Sequence, residues 1–301
     1  MPIRTKNNTV FYVKMQGRLD TFLLSKLGGM HITSIKQLLH NHQVQVNDTT
    51  VSRGDAVLKN GDTVTIRHTY EELSLQHPLL SILHEDSDFL IVEKQCGLLT
   101  VETHKHSQEI TAFSLLKTYV RRQNENAKVF IVHRLDKDTS GVLIFARRKD
   151  IQEALRHHWS DLVIRKEYIA IVSGRLKKKE GELVSWLQEE DGTDKVTCAF
   201  SDNGGKKSVL RYWVLFEKES NGQWLTGVRI GLVTGRTNQI WVQFAAIGHP
   251  VVGDKKYGNK HEVDLFHRLA LHASVIDFIH PVTRQRMTFE SPLPSSFKEM
   301  P

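Results

Sequence analysis

Apolar positions recur at helical spacing in only a few stretches of this chain and alternate in many more, which predicts few helices and many strands. Leu19, Phe22, Leu23 and Leu27 share one face between Arg18 and Leu27, with Gly28-Gly29 as the stop. A second helix is predicted from about Thr33, a candidate cap, to about His42, with Ile35, Leu38 and Leu39 on one face. QVQVNDTTV then alternates like a strand entering an Asn-Asp turn, and NGDTVTI reads as a turn leading into a second alternating strand. Residues 69–80 show no clear period and read as a linker.

From about residue 81 the pattern is strand-rich. SILHED and FLIVEKQ form a predicted strand pair across Asp86 to Asp88, and Ala112, Leu115, Leu116, Tyr119 and Val120 define an amphipathic helix. VFIV and VLIFAR are short apolar runs on either side of a polar loop. Further strands are predicted at YIAIVSG, SVLRYWVLFEK, WLTGVRIGL, HASVIDFIH and MTFESPL, with helices near 150–159 and 237–247. Strands in consecutive runs with few helices between them argue for an α+β fold with a mixed, largely antiparallel sheet over residues 81–301. A small helix-helix-strand module at 1–68 precedes it.

Composition narrows the class. Hydrophobic residues make up 40% and charged residues 25%, an ordinary globular balance. No window approaches the roughly 18 apolar residues of a membrane helix, and MPIRTKNNTV is not followed by the apolar stretch of a signal peptide. The two cysteines, Cys96 and Cys198, match no disulfide or metal spacing, so a reducing cytoplasm is expected. The net charge of +7 is uneven: residues 1–68 hold nine Lys or Arg against four Asp. A compact basic module joined to a near-neutral body fits a polyanion-holding arm, and equally a merely soluble surface.

The densest polar feature is the loop His133-Arg134-Leu135-Asp136-Lys137-Asp138-Thr139-Ser140-Gly141, bracketed by apolar strands that would hold its tips rigidly at the edge of a core. A tight turn with solvated charges is the plain alternative. His104 with His106, and His157 with His158, lack the i, i+4 spacing and the carboxylate of a metal site, so no metal is expected. Neither a P-loop, a paired CxxC nor an HExxH sequence occurs, and no cofactor is expected. The Lys177–Lys179 run reads as a solvated hairpin or a basic finger on phosphates.

HRLDKDTSGVLIFA resembles the signature of the RluA-type RNA pseudouridine synthases: HRLD, two variable residues, then TSG. Four further blocks resemble that family in the same order: EKQCGLL at 93–99, Lys166-Glu167-Tyr168-Ile169-Ala170, GLVTGRTNQIWVQFAAIGHPVVGDKKYG at 231–258, and RLALHASVIDFIHPVT with FESPLP. GRLDTFLLSKL, IKQLLHNHQVQVNDTTV and LKNGDTVTI resemble the small RNA-binding domain of the ribosomal protein called S-four, with only His31 and Lys36 as basic residues where its second helix begins.

The resemblance implies an isomerase that detaches uracil from ribose, rotates it and rejoins it through carbon, in ribosomal or transfer RNA. That rearrangement exchanges no electrons or groups with a cofactor. It needs a carboxylate as nucleophile or base, an aromatic wall for a flipped base, and a cation that keeps the carboxylate charged. By the resemblance Asp136 is the nucleophile, Tyr168 stacks on the uracil and assists proton removal from carbon 5, and Arg236 pairs with Asp136. Arg134 fills the gap left by the flipped nucleotide, and Leu271 lines the pocket. Without the resemblance Tyr168 reads equally well as an ordinary strand aromatic. The family reads GRTHQIR followed by valine and histidine; here Asn238, Trp241 and Gln243 replace its His, Arg and second His, which implies altered RNA contact beside the pocket. A monomer is expected. Two other classes stay open: a non-catalytic RNA-binding or ribosome-assembly factor, and a hydrolase that cleaves an N-glycosidic bond.

Overall fold

The computed structural model describes residues 3–5, 8–28, 30–40, 43–67, 75, 77–102, 109–124, 126–190, 193, 195–220, 222–258 and 267–298. His104 and His106 and most of the expected linker lie outside the described residues. The chain divides into two compact units, residues 1–74 with 117–127, and residues 75–116 with 128–301.

The first unit contains β1 (Ile3–Thr5), β2 (Asn8–Tyr12), β3 (Gly17–Arg18), α1 (Leu19–Lys26), α2 (Ile32–His40), β4 (Val44–Val46), β5 (Thr49–Thr50), β6 (Val57–Leu58) and β7 (Thr63–Arg67). Its main sheet runs β1-β2-β7-β4-β5, all antiparallel. Asn47 and Asp48 both have positive φ, 50° and 63°, which joins β4 to β5 through the tight turn such residues favour. Two differences from the sequence pattern emerge. Thr33 lies inside α2 rather than capping it. An additional strand, β2, alternates Thr9 and Phe11 inward beside β7. Leu19, Leu23, Ile35, Leu39, Val44, Val64 and Ile66 close the core.

The second unit contains β8 (Leu80–Glu85), β9 (Phe89–Lys94), the first residues of α3 (Ala112–Gln123, which belongs to the first unit from residue 117 on), β10 (Phe130–Ile131), β11 (Ser140–Ala146), α4 (Lys149–His157), α5 (Trp159–Leu162) and β12 (Val163–Ser173). These are followed by β13 (Glu180–Glu189), β14 (Val196–Ala199), β15 (Lys206–Ser220), β16 (Gln223–Leu232), α6 (Gln239–Ala246), β17 (Leu271–Ile279), β18 (Arg286–Glu290) and α7 (Ser295–Lys298). An 11-stranded sheet runs β14-β13-β15-β16-β12-β17-β11-β9-β8, with β10 on β11 and β18 on β17. It is antiparallel except for β11 against β17, so the expected mixed, mostly antiparallel sheet with few helices is what forms. β13 and β14 were not evident in the hydrophobic pattern; GELVSWLQE mixes glutamates with its apolar residues.

Two helices cover this sheet. Ile240, Trp241 and Phe244 of α6 pack on Ala170, Val172, Leu210, Val228, Ile230 and Leu271, while Ile151 and Leu155 of α4 pack on Phe89, Ile91, Val142 and Ile144. At the parallel junction, Ser140 and Gly141 face His272 and Ala273. Gly141 has φ +122°, and a β-carbon there would stand 2.1 Å from the Ala273 carbonyl oxygen, so the two strands meet this closely only over glycine. Among the described residues no helix is long and apolar enough to cross a membrane.

Candidate active site

The HRLDKDTSG loop connects β10 to β11, and its backbone is held at several points. The buried Thr100 hydroxyl donates to the Leu135 carbonyl at 2.7 Å and accepts from the Leu135 N–H at 3.2 Å. The Gly97 N–H donates to the Lys137 carbonyl at 2.9 Å, and Thr139 N–H turns back to the Asp136 carbonyl at 3.1 Å. Lys94, at the end of β9 and 0% exposed, donates to the carbonyls of Leu98 (2.8 Å), Lys137 (3.0 Å) and Gln95 (3.1 Å). His133 accepts the Ile144 N–H on Nε2 at 3.1 Å, and burial with the nearby Lys166 charge pushes it down to about 3, so the ring is neutral.

Asp136 is thus carried on a fixed turn at the edge of a cavity of about 330 Å3, within the size range of small-molecule sites. All five residues singled out in the sequence, Asp136, Tyr168, Arg236, Arg134 and Leu271, line this one cavity. Tyr168 comes from β12, where the pairing with β17 shifts register between Glu167 and Tyr168 and leaves Ser274 as an extra residue; a bulge of this kind re-aims a side chain. Burial raises the Tyr168 phenol above its ordinary range, and the Asp136 charge adds to the effect, so the hydroxyl stays protonated. Leu271, 2% exposed, begins β17 and forms an apolar wall.

Desolvation raises the Asp136 carboxyl above the usual carboxylate range; Arg134, Lys94 and Lys256 oppose the rise, and Asp138 adds to it. Here one expectation is corrected: no ion pair joins Arg236 to Asp136. Arg236 is exposed, its N–H is tied to Gln239 Oε1 at 3.1 Å, and its charge acts instead on Lys166, lowering that ammonium after burial has done so. The positive field on Asp136 therefore comes from three other cations. Of these, Lys94 and Lys256 had no role in the sequence reading; the one available signal for Lys94 was a lysine ending an otherwise inward-facing apolar strand. Lys94 is itself pushed down to about 8, chiefly by burial.

The three departures from the family pattern have distinct fates. Gln243 is fully buried, and its Nε2 donates to Ser185 Oγ (2.9 Å), Leu183 O (3.2 Å) and Ser208 O (3.3 Å), tying α6 to β13 and β15. It makes no RNA-facing surface, contrary to what the sequence suggested. Trp241, 9% exposed, belongs to the core under α6 while its edge lines the cavity. Asn238 precedes α6 in a left-handed conformation, φ 51° and ψ 22°. Its amide donates to Asp136 Oδ2 at 3.3 Å and its oxygen accepts from Lys256 Nζ at 2.9 Å and Tyr257 OH at 3.1 Å. His157 and His158 are exposed, and no cluster of three metal-ligating side chains occurs among the described residues.

A single broad, mostly antiparallel sheet, with a carboxylate on a clamped turn and a tyrosine lining one open cavity, has the fold of the pseudouridine synthase class. Comparison supports that class directly. A family profile described as RNA pseudouridylate synthase matches residues 88–246. The chain is 32% identical over 270 residues to an uncharacterized RNA pseudouridine synthase, YhcT, of Bacillus subtilis, covering 89% of this chain and 85% of that protein. It is 32% identical to ribosomal large subunit pseudouridine synthase D of Buchnera aphidicola, covering 94% and 93%. A solved structure of human RNA pseudouridylate synthase domain containing 1 superposes with TM-score 0.59 at 25% identity, covering 74% of this chain and 87% of that one. The chain belongs to the RNA pseudouridylate synthase family: it is an RNA pseudouridine synthase, an isomerase whose partner is RNA.

Proposed function

We propose that this isomerase uses Asp136 as its nucleophile on uridines of structured RNA, ribosomal or transfer. The observation that carries the reading is a half-buried carboxylate on a clamped turn, ringed by three cations and facing Tyr168 and Leu271 across a cavity that suits a flipped base. Asp136, charged, attacks C1′ as the C1′–N1 bond of the nucleotide breaks and the uracil turns within the cavity; carbon 5 then bonds to C1′ as the Asp136–C1′ bond breaks, and the proton lost from carbon 5 is balanced by one gained at N1. Tyr168 supplies the stacking face and, being protonated, offers a hydroxyl to the turning base. Arg236 and the exposed Arg134 hold the RNA at the cavity mouth, Arg134 filling the space the flipped nucleotide vacates; Leu271 keeps the floor dry.

Residues 1–68 act as an S-four-like phosphate-holding arm, 69–80 as a linker and 81–301 as the catalytic body, in a monomer; the unpaired Cys96 and Cys198 fit a reducing cytoplasm. The relatives named ribosomal large subunit pseudouridine synthase D favour ribosomal RNA as the substrate. Incubating the purified protein with total RNA from cells lacking its gene, then mapping pseudouridines and assaying free uracil, tests this. New pseudouridines at discrete ribosomal or transfer RNA positions without uracil release are expected. Release of uracil, or no modification of either RNA class, would contradict the proposal.

A further inference from the structure

Asp136 borders a second cavity of about 610 Å3, whose lining adds the cations Lys137, Lys195 and Lys256 and the acids Glu102, Asp138 and Glu189 to Arg134. Asn238 and Trp241 line both cavities and so stand between them. Lysine offers three donors and no acceptor, so the Asn238 carbonyl oxygen must face Lys256, and this turns its NH2 towards Asp136. The remaining partner agrees with that orientation: Tyr257 OH already accepts the Val196 N–H at 3.0 Å, which leaves its own proton for the Asn238 oxygen.

Both anchors are themselves fixed. Asp254, 2% exposed, accepts the N–H groups of Lys256 (2.8 Å) and Tyr257 (3.0 Å) on one carboxylate oxygen and so sets the turn that presents them. Asn238 sits at a left-handed position that asparagine tolerates better than most residues. The charged and titratable groups facing Asp136 are Arg134 and Asp138 from its own loop, Lys94 from β9, Tyr168 from β12, and Lys256 from the turn after α6. Lys166 and Arg236 share the cavity wall. Among the described residues Lys256 is the cation tied to the carboxylate through a hydrogen-bonded side chain.

We propose that Lys256, acting through the Asn238 amide, is a positioning residue that holds the Asp136 carboxylate oriented and ionised. The proposal rests on Asp136 being the nucleophile. An imidazole at position 238 would change its own charge near neutral pH, whereas the amide cannot, so with Asn238 the field on Asp136 follows Lys256.

The test is single-turnover pseudouridine formation on total RNA from cells lacking the gene, from pH 5 to 8.5, for Lys256→Met, Lys256→Arg, Asn238→Gly and Asp136→Asn. Glycine keeps the left-handed backbone while removing the amide. Lys256→Met and Asn238→Gly are expected to move the acid limb of the rate profile up by about one pH unit, costing about tenfold in rate below the limb and recovering towards pH 8.5. Lys256→Arg restores the limb, and RNA affinity changes by less than about threefold because phosphate contacts elsewhere supply most of it. An unmoved limb with weakened RNA affinity would make Lys256 a phosphate contact and overturn the proposal. So would an equal loss at every pH that arginine fails to rescue. Normal turnover by Asp136→Asn would instead remove the nucleophile assignment itself, an outcome distinct from both.

Discussion

Two segments line the cavity together, and they are built differently. The 133–141 loop is held through its backbone: Thr100, Gly97 and Lys94 grip the main chain at Leu135 and Lys137, leaving the Asp136 side chain to the cavity. The 234–243 segment is held through side chains. Gln239 accepts from Thr234 Oγ1 and Arg236 N–H and donates to Val209 O, while Gln243 reaches Ser185 and two β-strand carbonyls. A loop fixed by its backbone can carry one invariant chemical group at a set place. A segment fixed by buried amides can change the residues beside and between them, as at Asn238 and Trp241, and keep its position.

The contrast yields graded expectations. On the backbone-held side, Gly141→Ala forces a β-carbon into the Ala273 main chain, and neither strand can yield without breaking the parallel junction. A loss of more than about 4 kcal/mol is expected, read as failure to fold or a collapsed denaturation midpoint; a loss under about 1 kcal/mol would show that the two strands can separate. On the side-chain-held side, Trp241→Ala should cost about 3–5 kcal/mol by chemical denaturation, since the ring lies in the core beneath α6. Intact stability with weakened RNA binding would make the indole a stacking surface instead.

Gln243→Ala removes an amide NH2 whose two protons are shared among three acceptors, for an expected loss of about 1–3 kcal/mol with catalysis per folded molecule unchanged. A further expectation concerns acid. His133 and His272 are pushed down to about 3 and about 4 by burial, below the ordinary histidine value. The unfolded chain therefore binds protons first, and stability should fall as pH drops from about 6.5 through about 4, measurable as a falling melting temperature. A flat profile across that window would mean that these rings are not held neutral.

Much of the catalytic body was legible because its signals are local. Alternation and short apolar runs found β8, β9, β11, β12, β15, β16, β17 and β18, and the charged loop between apolar runs lies on the cavity as the pattern suggested. β13 escaped because its outward residues Glu180, Glu182 and Glu189 are charged, and β14 because it is only four residues long and is defined by its pairing with β13. The site residues Asp136, Tyr168, Arg236, Arg134 and Leu271 do converge, although they come from four separate stretches, and motif order supplied that convergence where periodicity could not. What no local signal carried was which cations act on Asp136. Lys94 and Lys256 reach it only through folding, and Arg236, the expected partner, faces Lys166. Gln243 was likewise read as a surface change because its burial depends on β13.

Asp136→Asn tests the account at its centre. The substitution keeps volume and hydrogen-bonding capacity and removes the charge. Loss of an essential nucleophile is expected to cost at least about four orders of magnitude in pseudouridine formed per enzyme on total RNA from cells lacking the gene. RNA binding should persist through phosphate contacts. Stability should hold or rise above the raised carboxyl pKa, because there the folded protein no longer carries a disfavoured charge; at lower pH, where the wild-type carboxyl is protonated, the two proteins should converge. Near-normal turnover by the asparagine variant would contradict the account.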